Sequence, residues 1–362
     1  MISDRVSPSG IAVGRQAGLM RLQSNLAILT AEMSSGRKAD PARELGVGAS
    51  LLYKLHGDVQ QGEAIKNSTS LAGERLKTMQ TAMGSIGDLM DQMSPEILKV
   101  DQLKDNGYTI IASHAKEVLG SLTDLLNAHW DGQNIFGGTD TSKPPVADSA
   151  ALATWASGQL TTAVTTAAAP LDAAQTTTML ADFDAMFANV QRDASGGTSF
   201  YGLVYVSTSR TAMNGSTDLE SDANSLVRIG AGETLSYNVR ADNDTFKNAF
   251  ESLAMLTLLD APDTSLSEEA RTAILDKAGD LMRTARAQLT VVAGVLGTKQ
   301  QRLQNVADIQ ERAVSAATAQ INDLEAADYY TVSDRISQLE LQLQATYSIT
   351  ARLADLSFVN YL

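Results

Sequence analysis

The chain has 362 residues, enough for two or three domains, with an ordinary apolar share of 44% and a formal charge of -14. Neutralising nucleic-acid phosphates needs clustered Lys and Arg, and no such cluster is visible, so a nucleic-acid partner is excluded. Cysteine is absent, which removes thiolate metal sites, thiol nucleophiles and disulfides together, and aromatics at 5% leave burial to many small aliphatic contacts along helices.

Pro8, Gly10 and Gly14 interrupt any helical pattern, so residues 1–17 are expected to be irregular or weakly helical. A firm helix follows from about Gln16 to Met33, with Leu19, Leu22, Leu26, Leu29 and Met33 recurring in threes and fours on one face. Gly36 supplies its C-cap and Asp40-Pro41 forbids simple continuation. After Gly46 and Gly48 a second helical pattern begins, regular from Leu76 through Met79, Met83, Ile86, Met90 and Met93, with a candidate break at Pro95. The methionines favour core packing over an adaptable partner surface. A third segment starts near Asn106-Gly107, keeps phase through Ile111, Ala115, Val118, Leu122 and Leu125, and ends at Trp130-Asp131-Gly132.

Composition then shifts. Gly137, Gly138, Pro144 and Pro145 open an Ala-, Thr-, Ser- and Gly-rich stretch that lasts to about Asn243, and residues 141 to 245 hold eleven acidic and five basic residues. Phe200, Leu203 and Tyr205, and then the alternation of Val227, Ile229, Leu235, Tyr237 and Val239, predict short strands. Helix returns at Asp244 to Leu259. Ser265 with Glu268 three residues on predicts a capped start to a long helix, interrupted only by Gly294 and Gly297. In the last stretch Val332, Ile336, Leu339, Leu343, Thr346, Thr350 and Leu353 form a second heptad-like ladder.

The fold class is therefore mainly α with an inserted β-rich or α+β domain, the two termini forming an elongated coiled-coil-like helical bundle. The expected divisions are an inner N-terminal helical segment at 1–45, bundle at 46–140, an acidic outer domain at 141–243, bundle again at 244–325 and an inner C-terminal helix at 326–362. No apolar run approaches the roughly 18–20 residues needed to span a bilayer, and the start lacks a secretory signal pattern. Neither membrane insertion nor Sec-type export is expected.

Chemistry is sparse. His56, His114 and His129 have no second histidine at ligand spacing, so no metal site is assigned. Gly10 with Gly14 and Gly294 with Gly297 lack the strand-to-helix context of a phosphate cradle. Asp182 with Asp184 and Glu268 with Glu269 read as helix-start or surface carboxylates rather than an acid–base pair. No catalytic residue and no cofactor is expected. A carbohydrate-binding adhesin stacking sugars on Trp130, Trp155, Tyr201 and Tyr205 is a rival reading, and an enzyme the remotest one.

Several segments carry a resemblance in combination: Asp4-Arg5-Val6-Ser7, Glu32-Met33-Ser34-Ser35-Gly36-Arg37-Lys38 with Asp40-Pro41, Asn134-Ile135-Phe136-Gly137-Gly138-Thr139, Asp328-Tyr329-Tyr330, and Leu356-Ser357-Phe358-Val359-Asn360-Tyr361-Leu362. The chain resembles bacterial flagellins, and the final segment is similar to the branch that joins hook to filament rather than to filament subunits, a rival within the family. The resemblance implies an extracellular structural protein exported by the flagellar type III system and polymerising into a helical tube with copies of itself. It also implies a neighbouring hook-associated protein, filament flagellin, and an export chaperone for the C-terminal helix. The subunit-contact residues it points to are Leu19, Leu22, Leu26, Leu29, Met33, Val332, Ile336, Leu339, Leu343, Leu353, Leu356, Phe358 and Tyr361. Their ladders should find partners only on assembly.

Overall fold

A computed structural model describes residues 8–99, 107–139, 141–147, 149–188, 199–205, 225–230 and 232–359. In chain order the helices and strands are α1 (Pro8–Ser35), α2 (Pro41–Leu45), α3 (Ala49–Lys99), α4 (Gly107–Leu126), β1 (His129–Trp130), β2 (Gln133–Asn134), α5 (Ser149–Ala167), α6 (Ala173–Ala188), α7 (Phe200–Leu203), β3 (Leu226–Arg228), β4 (Thr234–Ser236), α8 (Asp244–Leu256), α9 (Glu268–Glu325) and α10 (Tyr329–Val359). The architecture is mainly α with an inserted α+β region, as expected from the sequence. The chain divides into a terminal unit, Met1–Ala64 with Gln310–Leu362, and a central unit, Ile65–Ile309.

The central unit owns the large core. Met79, Met83, Met90 and Met93 of α3 are buried with Leu76 and Ile86, so the methionine series is packing and not a partner surface. They share one cluster with Ile111, Val118 and Leu122 of α4, Phe246 and Phe250 of α8, and Ile274, Met282 and Leu289 of α9. A Cβ on Gly87 would meet Leu289 at 3.5 Å, and one on Gly279 would meet Ile97 at 3.4 Å. Steps from 87 to 97 and from 289 to 279 are equal and opposite, so α3 and α9 pack here antiparallel and in fixed register. Helix α3 continues past Pro95 to Lys99, which corrects the expected break there.

Residues leading into the inserted region make a hairpin, His129 opposite Asn134 and Trp130 opposite Gln133. Its turn residues Asp131 and Gly132 both have positive φ, 51° and 71°, the backbone that a two-residue hairpin turn demands. The second hairpin pairs Val227 with Leu235, as the alternation predicts. The segment at Phe200 to Leu203 is helical instead of extended. Ser199 caps it by accepting the Gly202 N–H at 3.1 Å, and Phe200 is fully buried between Phe187 and Phe250. The strand pattern failed there because burial on all sides erases a two-residue period.

Helices α5 and α6 also lie inside the stretch read as β-rich. Their threonines return hydroxyls to carbonyls one turn back, as Thr161 does to Ser157 at 2.9 Å and Thr165 to Thr161 at 2.7 Å, so a Thr-rich composition costs the helix little. Trp155 of α5 meets Phe183 of α6 edge-on at 4.7 Å. Two smaller corrections concern helix starts. Helix α1 begins at Pro8, not near Gln16, because proline is well suited to a first helical position and each glycine costs a helix only about 1 kcal/mol. Ser267, not Ser265, caps α9, accepting the Ala270 N–H at 3.1 Å.

Candidate assembly surface

The terminal unit is clasped where both chain directions meet. Gly36 ends α1 with φ +68°, a left-handed cap that favours glycine, and its N–H donates to Glu32 O at 2.8 Å. The next residues run as a short extended piece against the link between α9 and α10. Arg37 bridges Ala326 antiparallel, Lys38 N–H donates to Glu325 O at 2.8 Å, and Ala327 N–H donates to Gly36 O at 2.9 Å.

Side chains reinforce this clasp. Arg37 donates to Glu325 Oε2 at 3.3 Å and to Asn322 Oδ1 at 3.0 Å, while His56 Nε2 lies 3.0 Å from Glu325 Oε1. Lys38 Nζ donates to Leu324 O at 2.9 Å, supplying a cation at the C-terminal end of α9 where carbonyls lack partners. Glu32, buried on α1, accepts the Ala39 N–H at 2.7 Å. Asp40 caps α2 through Arg43 N–H at 3.0 Å, with Pro41 following. Asp328 caps α10, accepting from Tyr330 N–H at 3.0 Å and from the Thr331 hydroxyl at 2.9 Å. Those hydrogen bonds, the Thr331 hydroxyl's first, hold the Asp328 carboxyl below the usual carboxylate range.

From the clasp α1 and α10 run side by side. They are antiparallel, because Gly36 meets Ala327 at one end and Gln23 Nε2 donates to the Tyr347 hydroxyl at 2.9 Å further along. Leu19, Leu22, Leu26, Leu29 and Met33 are all half-buried, as are Ile336 and Leu339, while Val332 and Leu343 are buried. The structure thus brings the two ladders onto one helix pair. Leu353, Leu356 and Phe358 fall on the backbone of α10, their side chains outside the described residues, and Tyr361 lies outside the described residues altogether.

The pair leaves much apolar surface uncovered. Val13, Met20 and Ile28 on α1, and Leu341, Tyr347 and Ile349 on α10, are exposed, Leu341 at 67% and Val13 at 67%. These residues escaped the sequence reading, although their signal was present: Val13, Met20 and Ile28 recur in steps of seven and eight, a second stripe beside the first. A helix that is apolar on more than one face needs more than one partner. A groove of about 620 Å³ runs between α1, α10 and α2, with Ile28, Leu29 and Leu339 along it and Glu32, Arg43 and Arg335 among its charged groups.

Other candidate groups resolve into packing. Tyr205 is fully buried and stacks on Phe200, and Trp155 packs on Phe183, so these two do not offer faces to a sugar; the Tyr201 side chain lies outside the described residues. His114 Nδ1 sits 2.6 Å from Glu96, Asp184 pairs with Lys277 at 3.0 Å, and Glu268 accepts the Tyr108 hydroxyl at 2.6 Å. Among the described residues no group of three or more His, Asp or Glu is placed to hold a metal ion, and no helix is long and apolar enough to cross a membrane.

Comparison with known families matches residues 6–141 to the bacterial flagellin N-terminal helical region and residues 280–362 to the bacterial flagellin C-terminal helical region. The clasp joins the two matched regions, and so does the α1–α10 pair. No curated protein matched the chain.

Proposed function

Because the chain belongs to the bacterial flagellin family, whose two terminal regions together match more than half of it, we propose that it is the junction protein between hook and filament, hook-associated protein 3. At the coarser level it is a structural component of the extracellular bacterial flagellum, of the kind that polymerises with copies of itself. The junction role is supported by the segment Leu356 to Leu362, whose Asn360-Tyr361 step departs from the ending of filament subunits.

The observation that carries assembly is the exposed apolar stripe on each helix of a pair whose inner stripes are already spent on one another. A single copy leaves Met20, Ile28, Leu341 and Ile349 in water, and neighbouring copies stacked head to tail would cover them. The contact set is then the two inner ladders, which fix the pair, together with the outer residues, which meet the next subunit. A hook-associated protein on one side and filament flagellin on the other are the proposed neighbours, with a chaperone shielding α10 before export.

Removing residues 323–362 tests this. The truncated chain should keep the central unit folded, with near-native circular dichroism from α3, α4, α8 and α9, yet fail to enter flagella. Normal motility supported by that truncation would refute the role given to the termini.

A further inference from the structure

We propose that Glu251, Asp184 and Lys277 form a proton-operated latch that holds helix α6 against α8 and α9. Glu251 sits on α8 at 4% exposure, and its Oε1 has no hydrogen-bond partner. Facing it from α6 is Asp184, which in turn pairs with Lys277 of α9 at 3.0 Å. Two carboxylates therefore share one cation, and that cation is already engaged. Burial first, and the Asp184 carboxylate second, push the Glu251 carboxyl up to about 8, against a smaller opposing pull from Lys277.

Other elements packed on α8 do not supply a second cation. Helix α5 has no ionisable residue. On α4, Lys116 pairs with Asp260 of the turn after α8, His114 pairs with Glu96, and Glu117 and Asp124 are exposed. On α8 itself Lys247 pairs with Asp244. At neutral pH the protonated Glu251 carboxyl donates to the Asp184 carboxylate, leaving Asp184 to bridge α8 and α9. Loss of that proton puts two negative charges together out of water, and the strain falls on α6, because Asp184 is half-exposed and can turn to solvent while Glu251 is buried on α8; Met179, Phe183 and Phe187 keep α6 in the shared core, so it loosens rather than detaches. Helix α5, joined to α6 by Trp155 and Phe183, would loosen with it.

Hydrogen–deuterium exchange on the full unpolymerised chain, expressed as protection factors between pH 6 and 9.5, reads the latch directly. Protection over Ala173–Ala188 should fall by up to about tenfold per pH unit from pH 6 and level off near 8 while α4 is unchanged, because the opened state ionises this carboxyl at its ordinary lower value and one unit of pKa displacement corresponds to about tenfold. Glu251→Gln should abolish that fall, and Asp184→Asn should move the pH at which it levels off downward. Constant protection of α6 in the unaltered chain, an unchanged fall in Glu251→Gln, or an unmoved levelling point in Asp184→Asn would each overturn the latch. The measurement involves no flagellum, so its failure is separate from failure of the junction role.

Discussion

His56 Nε2 lies 3.0 Å from Glu325 Oε1, joining the start of α3 to the end of α9 across 269 positions of sequence. The other oxygen of that carboxylate takes Arg37, so a single acidic group fastens three segments. Glu325 is only 13% exposed while Arg37 is 62% exposed. An exposed ion pair contributes little, about 0–1 kcal/mol, and the value of Glu325 rests on serving both partners from a partly buried position.

Glu325→Ala is accordingly expected to destabilise the terminal unit by about 1–2 kcal/mol, more than Arg37→Ala. Local exchange at Lys38 and Ala327, whose N–H groups close the clasp, is the measurement. Equal effects of the two substitutions would show that Glu325 acts through Arg37 alone.

Within the terminal unit a Cβ on Gly62 would lie 2.6 Å from Val314 Cγ2. Valine is stiff at χ1 and yields poorly, so Gly62→Ala should cost about 1–2 kcal/mol despite a gain of roughly 1 kcal/mol in helix propensity. In a Val314→Ala background the same substitution should become stabilising. A thermodynamic cycle from urea unfolding followed by helix signal separates the two, and additivity would deny the close approach.

Leu341 and Leu343 are two residues apart on α10 and should behave oppositely. Leu343 is 8% exposed and Leu341 67% exposed. Leu343→Asp buries an unpaired charge, at a cost of several kcal/mol, and should separate α1 from α10 in the monomer. Leu341→Asp should leave monomer stability within about 0.5 kcal/mol while preventing incorporation into flagella. Seeded polymerisation followed by light scattering, with circular dichroism on the same samples, distinguishes fold loss from contact loss.

Asp328 gives a pH signature. Its carboxyl is lowered in the folded state by Thr331 and by the Tyr330 N–H, so its capping contribution is fully present above the ordinary carboxylate value and is lost as pH falls through the lowered one. The first turn of α10 should therefore fray as acidification passes below the ordinary carboxylate range, read as faster exchange at Tyr330 and Thr331. Asp328→Asn should remove that dependence.

Long helices with a clean period were readable in the sequence: α4 from Ile111 to Leu122, the Leu76–Met93 ladder, and the inner stripes of α1 and α10. What escaped was set by tertiary context. Phe200 looked like a strand residue because burial surrounds it, and α5 with α6 were hidden by Thr- and Ala-rich composition. Asp131-Gly132 reads in sequence as a helix end, yet it is the turn of the first hairpin. At the assembly surface the inner ladders are legible, but the outer stripe of Val13, Met20 and Ile28 is not, because its steps of seven and eight leave it sparser than the three-and-four spacing of the inner face. The roles of Arg37, Lys38, His56 and Glu325 depend on chain segments that only folding brings together.

Immunogold labelling of this protein on intact flagellated cells tests the central claim most directly. The account predicts a single compact spot of label where hook meets filament. Label running along the whole filament would contradict the junction role, and label elsewhere on the cell would contradict a place in the flagellum altogether.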